Sequence, residues 1–149
     1  MDFKLQKKLV KKAMKEAEKA VNKWNAPFGA IITDIQWNIL VKAYNTTTSD
    51  INPTAHAEIN VIKKACKKLH TKNLSNYYLI SNAESCPMCM TAAIKAKITH
   101  FIFWAPTETD SDPYITVHDV AKNSKQELTI QTGVLEKECS EQIAVARNW

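Results

Sequence analysis

The residues best suited to chemistry are the run His56-Ala57-Glu58 and the pair Cys86 and Cys89, about thirty residues further along the chain. One imidazole and two thiolates can hold a zinc ion and leave its fourth position open for a water molecule. A carboxylate two residues from the imidazole could then move protons for that water. Residues at i and i+2 do not share a helix face, so the metal must lie beneath a helix end, not along a helix side.

The C-x-x-C spacing has two other interpretations. In an intracellular chain such a pair could be a redox couple or half of a structural zinc site. A redox couple would give His56 and Glu58 no functional role. A structural site would want a fourth protein ligand at regular spacing, and none is obvious in the sequence. The pattern therefore favours a catalytic zinc ion on His56, Cys86 and Cys89, with Glu58 as the catalytic residue.

Length and composition indicate a single globular domain over residues 1–149. The chain is 45% hydrophobic, which is enough to bury a proper core. No run approaches the length that spans a bilayer, and the first residues lack the apolar stretch of a signal peptide. We therefore expect a cytoplasmic protein with no membrane partner and with reduced cysteines. Cys66 and Cys139 fall on apolar faces of predicted helices and are predicted to be core residues.

The net charge of +5 lies in one segment. Residues 1–24 carry eight lysines and three acidic residues, whereas the rest of the chain is balanced. A lysine-rich face on one amphipathic helix is usually a solvated face. The chain has a single arginine, Arg147, although arginine is the usual reader of phosphates and bases. Nucleic acid is therefore kept as an alternative partner and not as the first one.

Hydrophobic periodicity predicts helices that alternate with strands. The first helix buries a stripe that runs from Leu5 to Trp24, and the second opens at Asn52-Pro53 with Ala55, Ile59, Ile62, Cys66 and Leu69 as its buried stripe. The other predicted elements are a β-hairpin with strands 28–34 and 39–45, a strand at 77–81, a helix at 87–97, a strand at 99–105, a short helix at 117–121, a strand at 127–132 and a helix at 134–147.

This order of elements predicts an α/β fold: a three-layer α-β-α sandwich in which helices cover both faces of a mixed sheet of about five strands. Ligands in such sheets bind beyond the carboxyl ends of the strands. The loops after the hairpin and after the third strand should converge at that edge. They carry Asn45, Glu84 and Cys86.

Several of these motifs together resemble the cytidine deaminase superfamily, in particular its nucleobase and tRNA deaminase branch. They are Pro27-Phe28-Gly29-Ala30, Asn45, Pro53-Thr54-Ala55-His56-Ala57-Glu58 and Cys86-Pro87-Met88-Cys89, in the family's order. The resemblance covers about residues 5–105. Within the branch the sequence is most similar to bacterial guanine deaminases, through the threonine-rich run before Pro53 and through Lys63-Lys64-Ala65-Cys66.

The resemblance implies one zinc ion per chain, a homodimer, and hydrolytic deamination of a purine base, most similar to the conversion of guanine to xanthine and ammonia. It also implies that Asn45 pairs with the base and that Phe28, Ala57 and Ser85 line the substrate site. Bacterial guanine deaminases exchange C-terminal segments between subunits, and this property is left open here. Other substrates left open are adenosine in tRNA, cytosine and further heterocycles. A different interpretation is a zinc-binding domain that has lost catalysis, but Glu58 argues against it.

The sequence departs from the family at Ser85, where the family normally carries proline, and in its C-terminal third, which does not align. A second proton-carrying acid is therefore unassigned; the candidates are Asp112, Asp119, Glu138 and Glu141. Trp104 and Trp149 could stack on a base, although Trp104 reads more readily as a core residue.

Overall fold

The computed structural model describes residues 2–106, 113–133 and 135–147, and the elements below are those of this part of the chain. The helices are α1 (Phe3–Val21), α2 (Ala57–Leu69), α3 (Pro87–Lys95), α4 (Val117–Lys122) and α5 (Glu136–Arg147). The strands are β1 (Gly29–Asp34), β2 (Ile39–Tyr44), β3 (Tyr77–Ala83), β4 (His100–Ala105) and β5 (Thr129–Thr132).

The five strands form one mixed sheet in the order β2-β1-β3-β4-β5. Strand β1 is antiparallel to both of its neighbours, whereas β3, β4 and β5 run parallel. The carboxyl ends of β2, β3, β4 and β5 therefore lie at one edge of the sheet, together with the start of β1. This arrangement confirms the predicted mixed α/β sheet.

Two hydrophobic cores lie on the two faces of the sheet. One core joins α2, α3 and α4 to side chains such as Ile32, Leu79 and Phe101. The other joins α1 and α5 to Ile31 and Ile80, which point the opposite way because side chains alternate along a strand. The helices are thus divided between both faces, which completes the three-layer sandwich.

Gly29 sets the distance between α1 and the sheet. A Cβ atom at this position would lie 2.1 Å from the carbonyl oxygen of Ala13 and 2.6 Å from the backbone nitrogen of Ala17. No side chain fits there, so the glycine allows the helix to pack directly on the start of β1. This contact explains the glycine of the Pro27-Phe28-Gly29 motif as a packing requirement.

The β1–β2 hairpin turns without glycine. The Asp34 carboxylate accepts hydrogen bonds from the backbone N–H groups of Gln36 and Asn38, at 2.9 Å each. Trp37 takes the left-handed conformation that glycine usually supplies, with φ of +69°. The hairpin predicted from two apolar runs is therefore present, and an aspartate stabilises its turn.

Two predictions about the helices are wrong in detail. Trp24 does not continue the stripe of α1, because the helix ends at Val21 and the Trp24 side chain is 75% exposed. The face of α2 that is fully buried against the sheet consists of Ala57, Val61 and Ala65.

The larger residues of the predicted α2 stripe flank that face and are half-buried, Cys66 among them. Small residues at i, i+4 and i+8 let the helix approach the sheet closely. The size of a side chain, and not its hydrophobicity alone, therefore determines which residues of α2 face the sheet. Cys139 is buried, as predicted. Within the described residues, no helix combines the length and apolarity needed to cross a membrane.

Candidate metal centre and catalytic site

Three connections meet at the edge of the sheet where the parallel strands end. The register pairs Gly29 with Tyr44 and Ala30 with Ser81, so the residues just beyond those strand ends are neighbours. Phe28 precedes β1, Asn45 follows β2, and Glu84 to Cys86 follow β3. The convergence predicted from the order of elements is therefore present.

Helix α2 begins later than the sequence predicts. Asn52 and Pro53 lie in a turn, where the Asn52 side chain accepts hydrogen bonds from the backbone N–H and the hydroxyl of Thr54. The helix starts at Ala57, and His56 is its N-cap, with extended backbone angles of −68° and 157°. The His56 side chain makes no capping hydrogen bond, so its imidazole is left to face the cysteines.

Helix α3 begins in the same way. Cys86 is its N-cap, with angles of −68° and 167° and no side-chain capping bond, and Pro87 follows in the first turn. Proline is suited to this position because its fixed φ matches the helix and its missing N–H is not needed. Cys89 then lies in the first turn of the helix and is buried.

The side chains of His56, Cys86 and Cys89 form a triangle. The His56 Nδ1 atom lies 3.6 Å from the Cys86 sulfur and 3.4 Å from the Cys89 sulfur, and the two sulfurs are 3.6 Å apart. Thiolate and imidazole ligands of one tetrahedral zinc ion lie roughly 3.5 to 3.8 Å from each other, given the usual bond lengths. The three donor atoms therefore fit a zinc ion that keeps a fourth position open.

The charges of the triangle suit a cation. A hydrogen bond from the Cys89 thiol lowers the pKa of Cys86 to about 4, although burial opposes the change. The same hydrogen bond, together with burial, raises the pKa of Cys89, so the shared proton stays there. Contact with Cys86 raises the pKa of His56. Because zinc takes thiolates and a neutral imidazole, its binding would release these protons.

Glu58 lies in the first turn of α2, beside the triangle. Its side chain is buried, and its Oε1 atom accepts a hydrogen bond of 3.0 Å from the hydroxyl of Ser85. Burial raises the pKa of the Glu58 carboxyl, because the charged form loses solvation. A raised pKa favours the neutral carboxyl group, the form from which a proton can be donated.

Asn45 lies at the same edge of the sheet as the triangle. Its backbone N–H donates to the carbonyl oxygen of Phe28, and the next residue, Thr46, donates to the carbonyl of Ala55, which adjoins His56. The Asn45 side-chain oxygen accepts hydrogen bonds from the backbone N–H and the hydroxyl of Thr47. No described residue accepts a hydrogen bond from the Asn45 amide nitrogen, which is therefore available as a donor.

Asn82 supports this edge of the sheet, and the sequence did not single it out. The side chain is fully buried and accepts a hydrogen bond from the Gly29 backbone N–H. It also donates to the carbonyl of Pro27 and to the side chain of Gln142 in α5. An asparagine at the end of a buried apolar strand was the available signal, since such a polar group needs partners.

The remaining predicted residues lie elsewhere. Trp104 is 1% exposed and packs in the core beneath α1 and α5, on the face of the sheet away from α2 and α3, so it cannot stack on a base beside His56. Ala57 is buried at the first position of α2. Asp112 and Trp149 lie outside the described residues.

The other candidate acids are surface residues. Asp119 is exposed and accepts hydrogen bonds from Thr116, and Glu141 is exposed and pairs with Lys137. Glu138 is exposed as well. None of the three is buried as Glu58 is, so the described residues supply no second buried acid from this set.

Comparison with known proteins places the motifs in a family. The family model described as the cytidine and deoxycytidylate deaminase zinc-binding region matches residues 4–105. The tRNA-specific adenosine deaminase of Bacillus subtilis is 35% identical over 136 residues, which cover 87% of this chain and 81% of that protein. The guanine deaminase of the same organism is 39% identical over 85 residues, 57% of this chain and 53% of that protein.

The fold of the chain is also similar to those of solved deaminase structures. A chain from a structural study of tRNA:A34 deaminases superimposes with a TM-score of 0.79 at 26% identity, over 89% of this chain and 96% of that one. The X-ray structure of the Bacillus subtilis guanine deaminase superimposes with a TM-score of 0.65 at 27% identity, over 96% of this chain and 94% of that one.

Proposed function

Because the chain belongs to the cytidine and deoxycytidylate deaminase zinc-binding family, and is therefore a zinc-dependent hydrolytic deaminase, we propose that its substrate is a purine base and specifically guanine. The reaction adds water to guanine and gives xanthine and ammonia. The observation that carries the proposal is the buried carboxylate of Glu58 beside a triangle of possible zinc donors, at the edge of the sheet where Phe28 and Asn45 also lie.

His56, Cys86 and Cys89 would hold the zinc ion, since their donor atoms are spaced as tetrahedral ligands are. A zinc ion at this position supplies Lewis-acid activation of a water molecule. His56 and Cys86 are the N-cap residues of α2 and α3. The first backbone N–H groups and the helix dipole at such positions favour thiolate and other negative charge.

Glu58 would carry the protons of the reaction. It takes a proton from the attacking water and passes it to a nitrogen of the ring. It then takes the second proton from the hydroxyl added to the ring carbon and delivers it to the amino group, which leaves as ammonia while that carbon becomes a carbonyl. Burial supports this role, because it raises the pKa of the carboxyl group and makes the protonated form accessible.

Asn45 and Phe28 would receive the base. The Asn45 amide nitrogen can donate to an acceptor on the purine, since its side-chain oxygen is already bound to Thr47. Phe28 is half-buried, its carbonyl accepts a hydrogen bond from the Asn45 backbone N–H, and its ring would add an apolar surface to the site. Asn45 and Glu58 are only 3% and 5% exposed, and contact groups this deeply buried favour a ligand as small as a free base.

A tRNA adenosine deaminase is the second candidate. Similarity to the Bacillus subtilis enzyme of that name extends over most of the chain. In addition, lysines of α1, β2 and α2 line a groove along the outer edge of the sheet that reaches Tyr44, next to Asn45. The groove lysines are Lys12, Lys19, Lys42 and Lys64. Such a groove could follow a phosphate backbone.

Ammonia release decides between the two candidates. The zinc-loaded protein would be incubated with guanine, adenine, cytosine, their nucleosides and an anticodon stem-loop RNA, with chelator-treated protein as the control. We expect turnover of guanine and none in the control. Turnover of the RNA alone would contradict the free-base proposal and assign the lysine groove to RNA. The single domain, the homodimer and the cytoplasmic location inferred from the sequence stay predictions.

A further inference from the structure

Ser85 lies in the short connection between β3 and α3, one residue before Cys86. Its side chain is 1% exposed, and its hydroxyl donates a hydrogen bond of 3.0 Å to the Oε1 atom of Glu58. A hydrogen bond between a buried hydroxyl and a buried carboxylate is charge-assisted and directional. The Ser85 hydroxyl thus has Glu58 as its hydrogen-bond partner, and the expected contact between Ser85 and the substrate stays a prediction.

This hydrogen bond links α2 to the connection that leads into α3, and the two helices also pack together in the hydrophobic core. Glu58 lies in the first turn of α2, whereas Ser85 is covalently next to the N-cap of α3. The position of the hydroxyl is thus fixed relative to Cys86. A glutamate side chain has several rotatable bonds, so its carboxylate needs a partner to hold one orientation. The structure places Ser85 as that partner.

Proline, which the resembled family carries at this position, has no hydroxyl. A chain with proline must therefore orient its glutamate in another way, whereas this chain has a donor for it. The difference concerns one of the two carboxylate oxygens: when Oε1 is held by Ser85, the other oxygen is the one that can exchange protons with water and substrate.

We propose that Ser85 is a positioning residue for Glu58: its hydroxyl holds Oε1 so that the second carboxylate oxygen faces the reacting atoms. Ser85 then acts on the reaction through Glu58 and not by binding the base. This inference rests on the proposed role of Glu58 but not on which base is the substrate.

Kinetics of Ser85→Ala test the proposal, with Ser81→Ala as the matched control. Ser81 is another fully buried serine, in β3, and among the described residues its hydroxyl makes a single weak contact, accepting from the Ala83 backbone N–H at 3.4 Å. We expect Ser85→Ala to lower kcat about tenfold, the size expected for a hydrogen bond to a charged group, with KM changed less than about twofold and zinc content unchanged. Ser81→Ala should keep the kcat of the wild type.

A double variant shows whether the effect passes through Glu58. In a Glu58→Ala background the carboxylate is absent, so adding Ser85→Ala should not lower the residual kcat further. An independent tenfold loss in that background would overturn the proposal. A rise in KM at constant kcat in the single variant would also overturn it, because Ser85 would then act on the substrate.

Crystal structures of the zinc-loaded wild type and Ser85→Ala give a readout that needs no substrate. We expect a single Glu58 conformer, bound to Ser85, in the wild type and a displaced or divided carboxylate in the variant. An unmoved carboxylate in Ser85→Ala would overturn the proposal. If no base is turned over, the proposed function fails, and this comparison still decides the role of Ser85.

Discussion

Four helices of the described part of the chain, α1 to α4, begin in two different ways. At the start of α1 the Asp2 side chain accepts a hydrogen bond from the Lys4 backbone, and at the start of α4 Thr116 and Asp119 form a capping box. The two helices that enter the site have no such cap. Their N-cap residues, His56 and Cys86, have the same extended backbone but make no side-chain capping bond.

This difference indicates how much folding stability the two site helices lack. A serine, threonine or aspartate at the N-cap typically contributes about 0.5–2 kcal/mol to stability. Helices α2 and α3 forgo that contribution, and their first backbone N–H groups are left near the donor triangle. The positive end of each helix dipole then favours negative charge at this point. The N-cap position thus serves stability in α1 and α4, whereas in α2 and α3 it holds two of the three proposed metal donors.

Cys86→Ser should have the largest effect, because it replaces a proposed metal ligand by a residue that usually caps helices. We expect the variant to lose zinc and with it nearly all deaminase activity, a drop of about a thousandfold or more, because activation of water depends on the metal. In the metal-free state the variant should be more stable than the wild type by up to about 1 kcal/mol. Zinc content, ammonia release and urea unfolding after chelation measure these effects.

Cys66→Ser is the matched control. Cys66 is half-buried on α2 and lies outside the donor triangle, so this variant should bind zinc and keep its activity. If Cys86→Ser also retains zinc and turnover, the triangle is not the metal site. If its metal-free form is clearly less stable than the wild type, the reading of α3 as an uncapped helix is wrong.

Asp119→Asn should give the smallest change in stability, and it tests the capping box at the start of α4. Hydrogen bonds from Thr116 lower the pKa of Asp119 below its ordinary value of 3.8. A lowered pKa in the folded state contributes stability above the ordinary value, and this contribution disappears as the pH falls through the folded pKa. We therefore expect Asp119→Asn to unfold at slightly lower urea than the wild type at pH 7, with the gap closing toward pH 3. A gap that widens on acidification would contradict the assignment.

The sequence predicted the order of the elements and the grouping of His56, Cys86 and Cys89, because short stretches of sequence carry both signals. Alternating apolar runs separate the strands from the helices, and His56, Glu58, Cys86 and Cys89 stand at spacings that few other functions use. The start of α2 was predicted too early because proline is common both in turns and in the first turn of a helix. The hydrogen bonds of the Asn52 side chain show that this segment is a turn.

Contacts between distant segments could not be predicted. The bond from Ser85 to Glu58 and those from Asn82 to Pro27 and Gln142 join residues far apart in the chain. No periodicity encodes them, since they depend on the register of β1 against β3. Side-chain size also overrode hydrophobicity on α2, where alanines and not isoleucines face the sheet.

Ammonia release from guanine by zinc-loaded wild type and by zinc-loaded Glu58→Gln, at measured and equal zinc content, tests the central claim most directly. The variant keeps the size and hydrogen-bonding reach of the side chain but cannot carry the proton. We expect rapid turnover by the wild type and a kcat lower by about 10²- to 10⁴-fold in the variant, the usual contribution of a general acid–base residue. Equal turnover by the two proteins would show that Glu58 does not carry the protons and would contradict the account.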